Sequence, residues 1–384
     1  MALHVLSKFH CFVLLLWLPL SSTTETPNVA SGVITKPGCQ DKCGNVSIPY
    51  PFGIGDGCFL DKWFEITCNE TLFNPPKPVY DDIIVSNLSI PDGQMTAEVS
   101  IARRFSDEKI PSNTSSASLG KFTYSSTKNK FIAIGCNIVA YLGLNKADTH
   151  TATGCLSTCS STTKGITNGS CTGIGCCVAS IPPELTKFLA SVSYMNKTLK
   201  DLIFNPISYA FLAEESLFNF STAYLKNFKN NGTETVPVVI DWTIGNESCD
   251  DAKRNLTSYA CGPNTDCIPG NSVPGYRCTC KKGYEGNPFL NSTTGGCQDI
   301  DECSKDIYPC KGSGSLCNNT DGNYTCYCPP KHRSRYSNDI LDCFEQSNEG
   351  KFYKIIIGKC TRAIITWVHY IRVCLPKLHS SACD

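Results

Sequence analysis

Short stretches in which apolar and polar residues alternate recur along this chain, while long helical stripes are rare. Val79 to Ile90 and Thr96 to Ile101 are rich in β-branched residues and partly alternate, which predicts strands. Phe131 to Cys136 has the same strand-like character, and Val238-Val239-Ile240-Asp241-Trp242 reads as a buried strand. One segment departs from this pattern. Ile181, Leu185, Phe188, Leu189 and Val192 recur at helical spacing behind Pro182-Pro183, which predicts a helix. At the N-terminus the apolar run Cys11 to Leu20 follows Lys8 and precedes small polar residues, the pattern of a secretory signal (residues 1–24) cleaved near Thr24. At the other end Lys354-Ile355-Ile356-Ile357-Gly358 begins like a membrane segment. Lys359, Arg362, His369 and Arg372 interrupt it, so the tail 344–384 reads as an atypical segment that spans poorly, a membrane helix cut short.

Cysteine content narrows the picture. The chain has 384 residues and 26 cysteines but only six histidines, four of them near the termini. Zinc sites need paired cysteines or nearby histidines, so disulfides in an oxidising compartment are the expected use. Thirteen Asn-x-Ser/Thr sequons agree with a secreted glycoprotein, Asn69, Asn87, Asn113, Asn196 and Asn231 being the expected carriers. Asn45 and Asn318 sit inside tight motifs and are expected to be poorly used. Residues 25–350 carry 27 Lys/Arg against 33 Asp/Glu, with no basic block interleaved with aromatics, which excludes nucleic acid as a partner.

The expected fold class is mostly β and disulfide-rich, with small β modules followed by two repeats and little helix. The first module (36–105) opens with Cys39 and Cys43, runs through the Pro- and Gly-punctuated Ile48-Pro49-Tyr50-Pro51-Phe52-Gly53, and continues to Cys58 and Cys68. The second (119–247) holds the cluster Cys155, Cys159, Cys171, Cys176 and Cys177. Two six-cysteine repeats follow at 249–297 and 299–343.

Those repeats resemble epidermal-growth-factor (EGF)-like modules, each with a one-residue gap before its fifth cysteine, Cys278-Thr279-Cys280 and Cys326-Tyr327-Cys328. The resemblance implies first–third, second–fourth and fifth–sixth bridges: Cys249–Cys267, Cys261–Cys278, Cys280–Cys297, Cys303–Cys317, Cys310–Cys326 and Cys328–Cys343. Modules this small bury too little apolar surface to fold unaided. Three bridges at roughly 2–4 kcal/mol each supply the difference. Asp299-Ile300-Asp301-Glu302 ahead of Cys303, with Asn319 and Thr320 after Cys317, read as a Ca2+ site. Asp299, Glu302 and Asn319 would offer side-chain oxygens to a hard cation, and by the resemblance Ile300 and Thr320 would offer carbonyls. Asp301 is expected close by. Pro269 stands in the first repeat where Asn319 stands in the second, so the first is expected to be calcium-free.

Together with the signal, Cys43-Gly44, Ile48 to Ile54, Gly57-Cys58, Ile66-Thr67-Cys68, Gly175-Cys176-Cys177, Ser208-Tyr209-Ala210-Phe211 and Asp241-Trp242 resemble the ectodomain of plant wall-associated receptor kinases over roughly 36–358. The resemblance implies an extracellular protein of the cell wall or apoplast whose N-terminal module binds galacturonan in pectin. Ile207 departs from it, because a cysteine usually precedes Ser-Tyr-Ala-Phe. No glycine-rich nucleotide loop, catalytic loop or Asp-Phe-Gly follows Gly358, which implies a receptor-like ectodomain without kinase activity. Oligogalacturonides are then the expected partners, with full-length receptor kinases or wall proteins beside them. Lys36, Lys42, Lys62, Arg103 and Arg104 are the candidate contacts to their carboxylates, and Lys77 is a further one. Among the aromatics, Phe52 and Trp63 are expected in the core rather than on a sugar platform. Two other readings compete: a structural or protein-binding wall glycoprotein without a sugar ligand, and a secreted glycoside hydrolase using Glu214, Glu215 or Asp241.

Overall fold

The computed structural model describes residues 35–374 except 108, 145–151, 160–164, 196–203, 230–231, 233, 256, 272, 305–307 and 346–348. The signal segment and the sequons at Asn196 and Asn231 lie outside the described residues. The protein is mostly strands, with eleven disulfides among the described residues. It divides into two compact units. One holds the residues up to Asn246 together with Gly270–Gly275, and the other holds 247–269 and 276 onward.

The first unit is built on three antiparallel sheets. In the largest, the strand order is Thr67–Asn69, Lys77–Tyr80, Ile83–Ser89, Gln94–Ser100, Thr235–Asp241 and Thr123–Tyr124. Alternation explains the central strand: Met95, Ala97 and Val99 point inward while Gln94, Thr96 and Glu98 are half-buried. In Ile83–Ser89 a bulge between Val85 and Asn87 breaks the alternation, so that Ser86 and Asn87 are both exposed before Leu88 returns to the core. The second sheet orders Cys176–Ser180, Asn129–Ile134, Ile207–Glu214 and Ala102–Phe105, and the third Ala152–Ser157, Ile138–Leu144, Lys187–Tyr194 and Ser115–Ser118.

Thr235–Asp241 pairs along its whole length with Gln94–Ser100, so residues 36–105 and 119–247 share one sheet. They also share a core. Phe52 and Phe64 stand edge-on to Trp242 with ring centroids 5.3 and 5.9 Å apart, and Phe122 meets Phe64 at 5.4 Å. Asn129, fully buried, ties a second sheet to the first. Its Nδ2 donates to the Val239 carbonyl at 2.6 Å and its Oδ1 accepts the Val239 N–H at 2.9 Å.

The helix expected over Ile181 to Val192 is a strand, Lys187–Tyr194. A four-residue spacing such as Phe188 to Val192 satisfies both a period of 2 and one of 3.6. Leu189 decides between them: it is 45% exposed, whereas Ala190 is fully buried. Glu184 also has a φ of +59°, which no right-handed helix accommodates.

The ten described cysteines of this unit pair as Cys39–Cys58, Cys43–Cys68, Cys136–Cys159, Cys155–Cys177 and Cys171–Cys176. Ile207 therefore leaves no unpaired cysteine here. It opens the strand Ile207–Glu214 opposite Phe105.

In the second unit the bridges are Cys249–Cys267, Cys261–Cys278, Cys280–Cys297, Cys303–Cys317, Cys310–Cys326 and Cys328–Cys343. Each repeat carries a central hairpin, Thr265–Pro269 with Tyr276–Cys280 and Leu316–Thr320 with Asn323–Tyr327. A further hairpin, His332–Ser337 with Ile340–Glu345, turns through Asn338 and Asp339, both at positive φ as a type I′ turn requires. Among the described residues the α-helices are the short Cys249–Arg254 and the later Glu349–Cys374, beside single 3₁₀ turns such as Lys62–Phe64.

A secreted fragment of residues 36–105 with its two bridges is expected to show no cooperative unfolding in a urea titration, because Gln94–Ser100 loses its partner strand and Phe52 loses Trp242. A fragment of residues 36–247 is expected to unfold cooperatively.

Candidate calcium and carbohydrate sites

The residues expected to hold calcium lie where the two repeats of the second unit meet. Gln298–Asp299 pairs with Tyr284–Glu285, and the Ile300 N–H donates to the Gly283 carbonyl at 2.9 Å. Asp299 is thereby carried onto the second repeat's hairpin. One of its oxygens accepts the Asn319 side-chain N–H at 2.7 Å and the other accepts the Gly322 N–H at 2.5 Å. Asp301 turns back to accept the Cys303 N–H and shapes the turn. Glu302 Oε2 is buried without a protein hydrogen-bond partner. An orphaned buried carboxylate oxygen is costly unless a cation or water satisfies it. Asp299, bonded to the Asn319 amide, and the Ile300 and Thr320 carbonyls are oxygen donors of the kind a hard cation takes. Among the described residues no cluster of three or more His, Cys, Asp or Glu side chains could hold a metal, which leaves the mixed carboxylate, amide and carbonyl set as the candidate.

The hairpin registers align the two repeats. Pro269 lies two residues after Cys267 opposite Tyr276, and Asn319 lies two residues after Cys317 opposite Tyr324. Proline offers no side-chain oxygen at that place.

Close backbone contact fixes this junction. A Cβ on Gly322, whose φ is +75°, would lie 2.8 Å from Cε2 of Tyr284, and a Cβ on Gly283 would collide with the Gly322 carbonyl. The Tyr284 hydroxyl bonds to Asp321, and this bond to a carboxylate raises its pKa above the ordinary tyrosine value.

In the first unit the candidate cations divide into two groups. Lys36 donates to the Gly57 carbonyl at 2.8 Å and lies 5.9 Å from the Tyr50 ring centroid. Lys62 pairs with Glu65 at 2.5 Å. Lys42, in the hairpin Lys42–Cys43 with Val46–Ser47, and Lys77, over the Phe73 ring, are exposed. The hairpin turn approaches Pro76, the residue before Lys77, so closely that a Cβ on Gly44 would strike its carbonyl, while Lys42 and Lys77 themselves belong to different sheets. Arg103 and Arg104 stand apart from these on Ala102–Phe105, an edge strand of another sheet. Arg103 is committed to Glu234 at 2.9 Å, and Arg104 buries its Nε without a hydrogen-bond partner.

Phe52 is in the core as expected, but Trp63 is not: it is 47% exposed. Asp61 caps the one-turn helix Lys62–Phe64 and turns Phe64 inward, which leaves Trp63 on the outer side with its ring edge against Gly120. No local pattern signalled this, because the supporting glycine lies far along the chain. The carboxylates of the hydrolase reading are engaged separately. Asp241 is buried and accepts from Gln94, Glu215 faces Lys130 at 3.8 Å, and Glu214 accepts from Ser216.

The wall-associated receptor kinase galacturonan-binding domain matches residues 39–98, and the calcium-binding EGF domain matches residues 299–343. Wall-associated receptor kinase 2 of Arabidopsis thaliana is 37% identical over 302 residues, covering 77% of this chain and 39% of that kinase. Wall-associated receptor kinase 5 of the same plant is 34% identical over 345 residues, covering 88% of this chain and 44% of the kinase. The chain is a homologue of the plant wall-associated receptor kinases. It spans about two-fifths of their length, the part that carries galacturonan-binding and EGF domains, and no kinase domain is matched within it. The wall-associated-kinase galacturonan-binding domain, 39–98, thus contains the exposed Trp63, Lys42 and Lys77 but ends before Arg103 and Arg104.

Gly322→Val is expected to prise the two repeats apart at Tyr284. Limited proteolysis between Cys297 and Cys303 should accelerate while all six bridges of the repeats remain formed; unchanged cleavage would show that this contact does not order the junction.

Proposed function

We propose that this chain is an extracellular, wall-associated receptor module that binds the acidic polysaccharide of pectin and carries no kinase activity of its own. The observation that carries the reading is the galacturonan-binding match at 39–98, on which a tryptophan and lysines stand exposed. Trp63 offers a ring face to a sugar ring, and Lys42, Lys77 and Lys36 offer cations to uronate carboxylates. Glycans on Asn87 and Asn113, opposite Thr96 and Arg103, would lie away from these side chains, whereas one on Asn69 would crowd Lys77, its partner on the adjacent strand. Its Ca2+ role is structural: Asp299, Glu302, Asn319 and the Ile300 and Thr320 carbonyls hold the ion and stiffen the junction between the EGF-like repeats. Released into the wall, such a module would compete with full-length receptor kinases for pectin fragments.

Calorimetry of the secreted protein with defined oligogalacturonides tests the sugar reading. Saturable binding is expected with acidic oligomers and not with methyl-esterified ones. Trp63→Ala should weaken it about ten-fold, a loss of about 1.4 kcal/mol, while the thermal unfolding midpoint stays put. Absence of binding by correctly bridged protein would favour a structural or protein-binding wall glycoprotein.

Calcium titration of the same protein should give one site, lost in Glu302→Ala and weakened in Asn319→Ala, with the disulfides of both variants intact. A second site of equal affinity would place calcium in the first repeat and contradict the role given to Pro269.

A further inference from the structure

The terminal helix, Glu349–Cys374, is 26 residues long, and none of its described side chains is buried. Ile356, Ile357, Ile364, Trp367 and Val368 are each between 45% and 70% exposed. Successive residues turn by about 100° in an α-helix, so these five and Ile371 share one arc of roughly a third of the circumference. Lys354, Arg362, His369 and Arg372 lie on the other side with Gly358, and Lys359 lies at the border. Among the described side chains Ile365 is the apolar exception on the polar face. The polar side chains along the helix carry one sign of charge: its sequence holds five Lys/Arg against the single Glu349 at its start.

One further feature fits an apolar surrounding. Trp367, 70% exposed, has the amphipathic ring that settles at a membrane–water boundary. The helix is not built to cross a bilayer. No helix among the described residues is long and apolar enough, and Lys359 and Arg362 fall near the middle of this one.

We propose that Glu349–Cys374 is an in-plane membrane helix that seats the protein on an anionic lipid surface. Ile356, Ile364, Trp367 and Ile371 enter the acyl boundary, and Lys354, Arg362 and Arg372 meet the headgroup phosphates. Such binding adds buried apolar area to electrostatic attraction, and so depends on both lipid charge and salt. A partner with an apolar groove alone would leave the one-sided positive charge without a counterpart. Phosphate headgroups above an acyl layer complement both faces at once.

The full chain should float with phosphatidylcholine vesicles that contain phosphatidylserine, about ten-fold more than with phosphatidylcholine alone, and high salt should reduce that difference. Ile364→Asp and Trp367→Glu should each reduce flotation at least about ten-fold, and Arg362→Glu should remove most of the preference for phosphatidylserine. These side chains are exposed, so the variants should keep the bridges and calcium binding of the repeats. Three results would overturn the proposal: no flotation with charged vesicles, equal flotation of wild type and Ile364→Asp, or concentration-dependent self-association in solution that Ile364→Asp abolishes. The last would assign the apolar face to a second copy of the chain.

Discussion

The pairing of Gln94–Ser100 with Thr235–Asp241 is the constraint on which the first unit depends. These strands are separated by more than half of that unit's sequence. Their ladder joins the four strands between Thr67 and Ser100 to two later ones in a six-stranded sheet, and it places Trp242 against Phe52 and Phe64. The five disulfides of this unit each close a short loop and do not bridge this distance. Hydrophobic burial and backbone pairing therefore supply the long-range order, and the bridges restrain the loops around it.

The second unit inverts that balance. Its two-stranded hairpins bury little, and six bridges take over the work of a core. What remains to be organised is the meeting of the repeats, where Gly283 and Gly322 allow the backbones to touch and Asp299 reaches across to Asn319 and Gly322. The orphaned Glu302 oxygen is a local deficit that a bound cation would relieve. Stability and ligand binding are then linked: an ion held only by the ordered junction favours that order.

The proposed carbohydrate recognition would rest on a different physical footing. Uronate polymers are charged and hydrated, so a site for them needs cations that are not already neutralised and aromatic faces that are not already covered. Lys42, Lys77 and Trp63 meet those conditions, whereas Arg103 is paired with Glu234 and Phe52 is core. The competing hydrolase reading lacks an equivalent, since its carboxylates are separately engaged.

Much of this was legible in the sequence because it depends on local spacing. The positions of the cysteines in the two repeats, the acids ahead of Cys303, the β-branched strands at Val79–Ile90 and Thr96–Ile101 and the charges that interrupt the tail all follow from residues close together in the chain. Tertiary structure decided what local spacing leaves degenerate. Phe188 and Val192 fit a helix or a strand equally, and only burial of Ala190 with exposure of Leu189 distinguishes the two. The partners of the ten cysteines from Cys39 to Cys177 depended on which strands became neighbours. Whether Trp63 faced water or core, and whether Arg103 was free, turned on Gly120 and Glu234. Those contacts are non-local, and pattern along a chain carries no information about which distant residue will stand beside a given side chain.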